Sequence, residues 1–260
     1  MIPKLRNLVL PSVLFLCSQV TFGQSAVYEV TFTGTWSEND ATSFPSSAHF
    51  TELVGATHAA GAQFWEVGGL ASQGIEEVAE TGALFSFSSE VNSAQRNGVS
   101  GSMVTFESLF SLPGESTTQR IEANENHPYI TLISMIAPSP DWFVGVSNVP
   151  LQSNGQWRSV ISIDLLPYDA GTEDGDEFSL ANPETTPKQA ITPLEQSPFF
   201  GRPSLGRLEF TLLSPAPPSS TNPNTPQPSA NASTLNALAP VISLVLNEEE
   251  SPNKQTDRTQ

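Results

Sequence analysis

The sequence predicts a mainly β protein, an antiparallel β-sandwich with one or two short helical insertions. Three observations lead there. Between residues 27 and 213 apolar residues recur at every second position over short runs, the period of a strand with one buried face. The runs are punctuated by Gly, Pro, Ser and Asn, in a chain of 260 residues with 22 prolines and 17 glycines, so strands are short and turns frequent. Only one stretch, from about residue 75 to 91, shows helical spacing instead.

Taken in order, Tyr28, Val30 and Phe32 alternate with Glu29, Thr31 and Thr33, which predicts a half-buried first strand. Ile75, Val78 and Ala79, with Glu76, Glu77 and Glu80 between them, form a helical stripe that stops at Gly82, and a second turn or two follows through Val91. Val104, Phe106 and Leu109 predict another strand. Tyr129 to Ile136 (YITLISMI) is apolar on both faces, the pattern of a central strand covered on both sides. Ile161, Ile163 and Leu165 alternate with Ser162 and Asp164. Leu208, Phe210 and Leu212 alternate with Arg207, Glu209 and Thr211 in the last strand. No internal repeat is visible.

The two ends have a different character. Residues 1–23 have the form of a secretory signal peptide: Lys4 and Arg6, then an apolar stretch from Leu8 to Phe15, then a polar segment ending at the small Gly23. The apolar stretch is too short for a membrane-spanning helix, which needs about 20 residues. Cleavage after Gly23 removes Cys17, the single cysteine, so the mature chain has no thiol and no disulfide. Export without disulfides fits a periplasm or a bacterial cell surface. At the other end, residues 214–230 hold six prolines in seventeen positions, and residues 214–260 are expected to be a Pro/Ser-rich spacer and a disordered tail. The expected organisation is therefore a signal peptide over 1–23, a sandwich domain over 24–213 and a spacer with tail over 214–260.

Composition excludes some functions. Ten Lys and Arg stand against 27 Asp and Glu, a formal net charge of −17. No basic surface exists to neutralise phosphates, which excludes nucleic acid and disfavours direct membrane binding. The acidic excess suits cation binding or simple solubility. Catalytic signatures are scarce: the three histidines, His49, His58 and His127, lack zinc-site spacing, and neither a G-x-S-x-G elbow nor a phosphate-binding glycine loop occurs. His58, in the small-residue turn Gly55–Ala59, is read as a structural histidine donating to a backbone carbonyl rather than as a base.

Two segments carry the most chemistry. Pro138–Val146 (PSPDWFVGV) and Pro167–Gly175 (PYDAGTEDG) each put an aspartate, Asp141 or Asp169, where a strand meets a loop. Carboxylates gathered from separate loops are what a six- to eight-coordinate calcium ion needs, and the alternative is that they cap turns. For Glu173, Asp174, Asp176 and Glu177 the turn-and-solvent assignment is preferred, because the run does not fit a helix–loop–helix calcium pattern.

These strings resemble the spondin N-terminal domain family. Besides PSPDWFVGV and PYDAGT, the resemblance takes in Trp157, the first strand from Tyr28 to Trp36, Leu53 to His58, Phe64-Trp65, Gly68 and the helical stretch Ala71 to Gly82, about residues 25–213 in all. It implies an eight-stranded antiparallel sandwich similar to a C2 domain, with one Ca2+ near a loop end. The implied ligands are Asp141, Asp169 and a third acid ahead of the buried strand, whose place is taken by Glu122. Animal relatives carry disulfides and cysteine-rich thrombospondin repeats, and neither is present in this chain. The expected function is thus that of a secreted calcium-binding module for adhesion or surface recognition, not an enzyme, with an extracellular protein or glycan as its unidentified partner. An exported hydrolase using acidic residues and His58, or a purely structural surface protein, are the alternatives.

Overall fold

The computed structural model describes residues 25–215. Residues 1–24 and 216–260, where the signal peptide and most of the Pro/Ser-rich spacer and tail are expected, lie outside the described residues. The strands are β1 (Ala26–Gly34), β2 (His49–Phe50), β3 (Val54–His58), β4 (Ser100–Thr105), β5 (Ser116–Ala123), β6 (Tyr129–Ala137), β7 (Trp142–Pro150), β8 (Gln152–Ser153), β9 (Gln156–Trp157), β10 (Val160–Leu165), β11 (Pro167–Asp169), β12 (Thr192–Pro193) and β13 (Gly206–Pro215). Two helices, α1 (Gln73–Thr81) and α2 (Phe85–Arg96), stand between β3 and β4. Among the described residues eight strands have five residues or more: β1, β3, β4, β5, β6, β7, β10 and β13.

Two antiparallel sheets form the body, one in the order β10-β13-β1-β5 and the other in the order β12-β11-β7-β6-β3-β4 with β2 beside β6. Their facing surfaces enclose the main core, to which the four-stranded sheet contributes Tyr28, Val30, Phe32, Leu208 and Phe210 and the larger sheet Ile130, Leu132, Ile136, Trp142 and Val144. A second core lies on the outer face of the larger sheet, where Ile75, Val78, Ala79, Phe87 and Val91 of the helices cover Val54, Ala56, Ile133 and Phe143. The two cores explain why β6 is apolar on both faces: Leu132 points between the sheets and Ile133 points to the helices.

The helical stripe folds as its residues dictate. Ser72 caps α1 by accepting from the Ile75 N–H at 3.2 Å, and Gly82 ends it with φ 71°, its N–H returning to Val78 O at 3.0 Å. Glu90 of α2 accepts from the Gly74 N–H and the Ser72 hydroxyl, both at 2.8 Å, so one side chain joins the two helices. The second helix runs beyond the turn or two expected through Val91, to Arg96. The expected strand through Val104, Phe106 and Leu109 ends at Thr105, because the chain then leaves the ladder: Phe106 N–H donates to Leu53 O, and Leu109 exchanges a pair of bonds with Phe50. Both side chains remain in the core. The last strand extends two residues past Leu213, since Ala26 pairs with Pro215.

Strand β6 separates two ends of the sandwich. At its start lie His58, Tyr129 and the turn at 124–127, and at its finish Ala137 leads through Pro138–Asp141 into β7. At the second end an aromatic cluster holds the loops. Trp36 contacts Phe44, Phe178 and Phe199, and Trp142 contacts Phe178 and Phe199, with ring centroids 5.1–6.3 Å apart.

Gly74 is the tightest point between the helices, where an added Cβ would lie 2.6 Å from Phe87 Cα. Ala in place of Gly favours a helix by about 1 kcal/mol, but overpacking against backbone costs roughly 1–3 kcal/mol. Gly74→Ala is therefore expected to destabilise the domain by up to about 2 kcal/mol, read from the midpoint of urea unfolding; a midpoint above wild type would show that the helices can separate without penalty.

Candidate functional site

The loop end of β6, β7 and β11 is organised around Asp141. Ser139 makes the turn that leads to it: its hydroxyl accepts from the Trp142 N–H at 3.1 Å and donates to Trp142 O at 3.3 Å. The antiparallel pairing of β7 with β11 sets Asp169 opposite Trp142, one residue from Asp141. Asp169 then shapes its own loop, its Oδ1 accepting from the Gly171 N–H at 2.8 Å. Gly171 has φ 73°, and a Cβ there would lie 2.5 Å from Gln189 O, so only glycine turns the chain at this point. The turn aims the next two amides at Asp141. Its Oδ2 accepts from Thr172 N–H at 2.7 Å, Glu173 N–H at 3.1 Å and the Thr172 hydroxyl at 3.2 Å.

The other oxygen, Asp141 Oδ1, is buried and has no hydrogen-bond partner, although the residue is 0% exposed. Burial pushes the Asp141 carboxyl above the ordinary range, with the donors from Thr172, Glu173 and Gly171 pulling the other way. Asp169 is pushed up to about 6, by burial first and then by the charge of Asp141, while the Gly171 amide and the Trp142 indole N–H oppose the rise. That indole N–H is itself buried and makes no hydrogen bond of good geometry, so its effect on Asp169 is electrostatic. Two further carboxyls feel the same centre. Glu80 of α1 is raised by burial, with a Thr172 hydrogen bond and the Lys188 charge opposing and Glu76 and Asp141 adding to the rise. Glu173 is raised by burial, with Asn182 opposing and Glu80, Asp141 and Glu184 adding. The site is thus a set of carboxyls whose mutual repulsion and desolvation are only partly balanced by donors.

The structure brings Asp141 and Asp169 together but not Glu122. Glu122 is exposed on β5, level with Thr57, whose hydroxyl donates to Glu122 O at 3.3 Å. Thr57 pairs with Ile130, near the start of β6. From Ile130 to Ala137 the strand climbs about 23 Å, so Glu122 stands at the far end of the sandwich from Asp141. The reason is the hairpin: an acid just ahead of β6 lies at that strand's beginning, while PSPDW follows its end. Among the described residues no three His, Cys, Asp or Glu side chains are already gathered as a metal cluster. The two aspartates form a cradle with one unmatched oxygen rather than a finished cage.

His58, the candidate base, is fully buried. Ala59 O, at 3.0 Å, accepts from its Nδ1–H, which leaves Nε2 to accept from the Thr131 hydroxyl at 2.9 Å. Thr131 Oγ1 in turn accepts from Asn148 N–H at 3.1 Å. Both ring nitrogens are engaged and the ring is closed off by Phe64 and Tyr129, so His58 has no lone pair to offer a substrate.

Against known families, the Spondin_N model matches residues 26–203. This chain is a member of the Spondin_N family. It is 32% identical over 184 residues to human Spondin-2, covering 66% of this chain and 53% of that protein. It is 30% identical over 191 residues to chicken Spondin-1, covering 68% of this chain and 23% of that protein. The chain therefore spans about half the length of the Spondin-2 it matches and about a quarter of Spondin-1. The matched span holds both aspartates, the 169–173 turn and the two helices.

Glu173 and Glu80 are the residues that sequence reasoning passed over in this Spondin_N domain. Glu173 sits in an acidic run that reads as solvated loop, and Asp174, its neighbour, does serve the loop by accepting from the Thr185 hydroxyl at 2.7 Å. The one signal for Glu80 is its spacing four residues after Glu76, on the helix face that meets the 172–188 loop.

With divalent cations chelated, Asp141→Ala would leave three buried donors unmatched, at roughly 1–3 kcal/mol for each unsatisfied group. A loss of about 3 kcal/mol or more is expected in urea unfolding, whereas Asp141→Asn keeps an accepting oxygen and should unfold at or above the wild-type midpoint. Equal losses in both variants would contradict the donor arrangement. His58 supplies a pH test. Burial, opposed by Ala59 O and reinforced by the His127 charge, lowers its pKa in the fold, so below the unfolded value of about 6.5 the unfolded chain binds the proton that the folded one refuses. Stability contributed by neutral His58 is then full above about 6.5 and is lost as pH falls. The site carboxyls, raised in the fold, tilt the curve the opposite way, but they are common to wild type and His58→Gln. The variant should lose less stability than wild type between pH 7 and 5; parallel curves would show that His58 takes up its proton in the fold.

Proposed function

We propose that this Spondin_N protein is a secreted, non-catalytic module that binds calcium at Asp141 and Asp169 and acts in adhesion or recognition at an extracellular surface. One observation carries the calcium assignment: a fully buried carboxylate, Asp141, with three donors on Oδ2 and none on Oδ1, beside a second carboxyl raised to about 6. Protein donors have supplied one side of that carboxylate, and a hard cation that takes oxygen ligands suits the other. The ion would be held by Asp141 and Asp169, with backbone carbonyls and water completing a flexible shell, and it would balance two negative charges at once. Glu122, a full strand away, is not a ligand of the same ion.

Secretion is supported by the N-terminal segment with Lys4, Arg6 and the apolar stretch from Leu8 to Phe15, and among the described residues no helix is long and apolar enough to cross a membrane. Family membership with spondins supports adhesion, the partner being an extracellular protein or glycan. The occupied histidine counts against the hydrolase alternative.

Extracellular calcium modules bind with Kd of about 10⁻⁴–10⁻³ M. At ~10 mM calcium that occupancy stabilises the fold by about 1.4–2.7 kcal/mol, which for a domain of this size raises Tm by roughly 3–10 °C. Differential scanning calorimetry of the purified protein with calcium and with chelator should show this shift in wild type and lose it in Asp141→Asn and Asp169→Asn. An unshifted wild type ends the calcium assignment. A shift that survives both substitutions would move the ion elsewhere.

A further inference from the structure

Two sheet edges face each other towards the end of the sandwich away from Asp141. Strand β5 ends the order of the four-stranded sheet, and β4 ends that of the larger one. Between them lies a groove of about 710 Å³, with Met103, Val104 and Thr105 on one wall and Gln119, Arg120 and Ile121 on the other. Strand β4 is a poor template for a further strand, because its register with β3 shifts between Ala56 and His58. Strand β5 is a good one: its eight residues (STTQRIEA) pair with β1 without a break and hold no proline.

The direction of the β5 backbone groups follows from its bonds. Successive residues of an antiparallel strand send N–H and C=O to opposite sides. Glu115 O accepts from the Gly34 N–H of β1, whereas Glu122 O accepts from the Thr57 hydroxyl of the other sheet. The odd positions therefore face β1, and Ser116, Thr118, Arg120 and Glu122 turn their backbone groups outward. Among the described residues, those of Ser116, Thr118 and Arg120 have no partner on that side. A long, regular edge of this kind is a template for an added chain. The Arg120 side chain is exposed and makes no ion pair among the described residues, although Glu29 stands opposite it across the ladder. Its charge is free for a carboxylate. A second copy is a poor source of one, because a chain of net charge −17 repels its like.

We propose that the outer edge of β5 docks an extended segment of an extracellular protein, which adds a strand to the sheet and sets a carboxylate opposite Arg120. The added chain exchanges backbone hydrogen bonds with Thr118 and Arg120. Side chains directly opposite each other share a face, so the carboxylate and its alternate neighbours lie on the solvent side, and the residues between them lie over Val104 and Ile121 in the groove. The inference rests on the recognition reading above and gives it a surface and a partner class. It does not depend on calcium, since the groove is remote from Asp141.

The test uses the full chain and a capped heptapeptide, Lys-Val-Glu-Val-Thr-Val-Lys, as the probe. In the free protein, amide exchange followed by NMR should be fast at Thr118 and Arg120 and slow at Gln119 and Ile121. Protection of all four would show the edge already covered, by a second copy or otherwise, and would overturn the proposal. Adding the peptide should slow Thr118 and Arg120. Methylating the backbone nitrogens of Glu and Thr, which face β5, should weaken binding about 10-fold or more through lost hydrogen bonds, while methylating those of the valines should not. Thr118→Pro removes an outward donor without touching the β1 ladder and should weaken binding likewise. Exchanging the peptide's Glu for Lys should weaken binding to wild type about 3-fold or more, and Arg120→Glu should reverse that preference. No binding at millimolar peptide, or equal binding of all the methylated forms, ends the inference. An unreversed preference overturns the carboxylate as the partner's chemistry. Should Thr118→Pro not fold, the methylated peptides on wild type decide. A protein that binds the peptide but shows no calcium shift in calorimetry loses the calcium assignment alone, and the converse result removes this inference alone.

Discussion

The loop end of this domain is built around a carboxylate that is only half satisfied. Moving an ion out of water costs several kcal/mol even after the protein relaxes, and Asp141 offsets part of that with three donors from Thr172 and Glu173. Those donors exist because Gly171 takes a left-handed turn that a side chain would block, and the turn exists because Asp169 holds the Gly171 amide. Beneath the loops, Trp142 and Trp36 bind Phe178 and Phe199 into one aromatic cluster, so the segment that bears the donors is tied to the core. Above them, the helices close the outer face of the sheet. Removing Asp141 from this arrangement would leave each of these devices pointing at nothing.

Much of the fold was legible because its physics is local. The first and last strands alternate, β6 does not, and each pattern follows from how many faces are covered. The end of helix α1 could be read at Gly82, the kind of residue that stops a helix and does so here, whereas its Ser72 cap is seen only in the structure. What failed was non-local. Phe106 and Leu109 look like a strand, because core side chains impose the same apolarity whether or not their backbone stays in a ladder; here Phe106 bonds to Leu53 and Leu109 to Phe50 after β4 has ended. Both strand-to-loop aspartates were visible as residues of unusual strings. That they meet depends on the β7–β11 register, which no local pattern carries.

The third acid shows the limit most clearly. Glu122 precedes the buried strand in sequence, and proximity along the chain suggests proximity to what that strand leads into. A strand of nine residues reverses the conclusion, since its two ends are a domain's height apart. The other acids that feel the Asp141 charge are Glu173, whose amide donates to it, and Glu80 of α1, a helix that lies across β6 and touches β7. Helical periodicity identified its face as polar, and a polar face is usually a solvated one. Only the placement of the 172–188 loop against it turns Glu76 and Glu80 from surface charges into neighbours of Lys188 and Thr172.

A buried pair of carboxyls can be balanced by a proton or by a cation, and the two choices differ in what they do to the loops. Asp169 is pushed up to about 6 by burial and by the charge of Asp141, so a proton balances it best below neutral pH. A divalent ion would take ligands from the turn before β7 and from β11 at once, where a proton would sit on one. Such an ion would restrain loops that the sheet registers only loosely: β11 is three residues long and β12 two. With so little ladder to hold them, residues 169–193 depend on the aromatic cluster below and on the charge balance at Asp141 above. Recognition surfaces made of loops need such restraint, because a loop that is ordered before its partner arrives loses less entropy on binding. On this argument the ion would be structural first, and its effect on any partner would be exerted through the shape of the loops it holds.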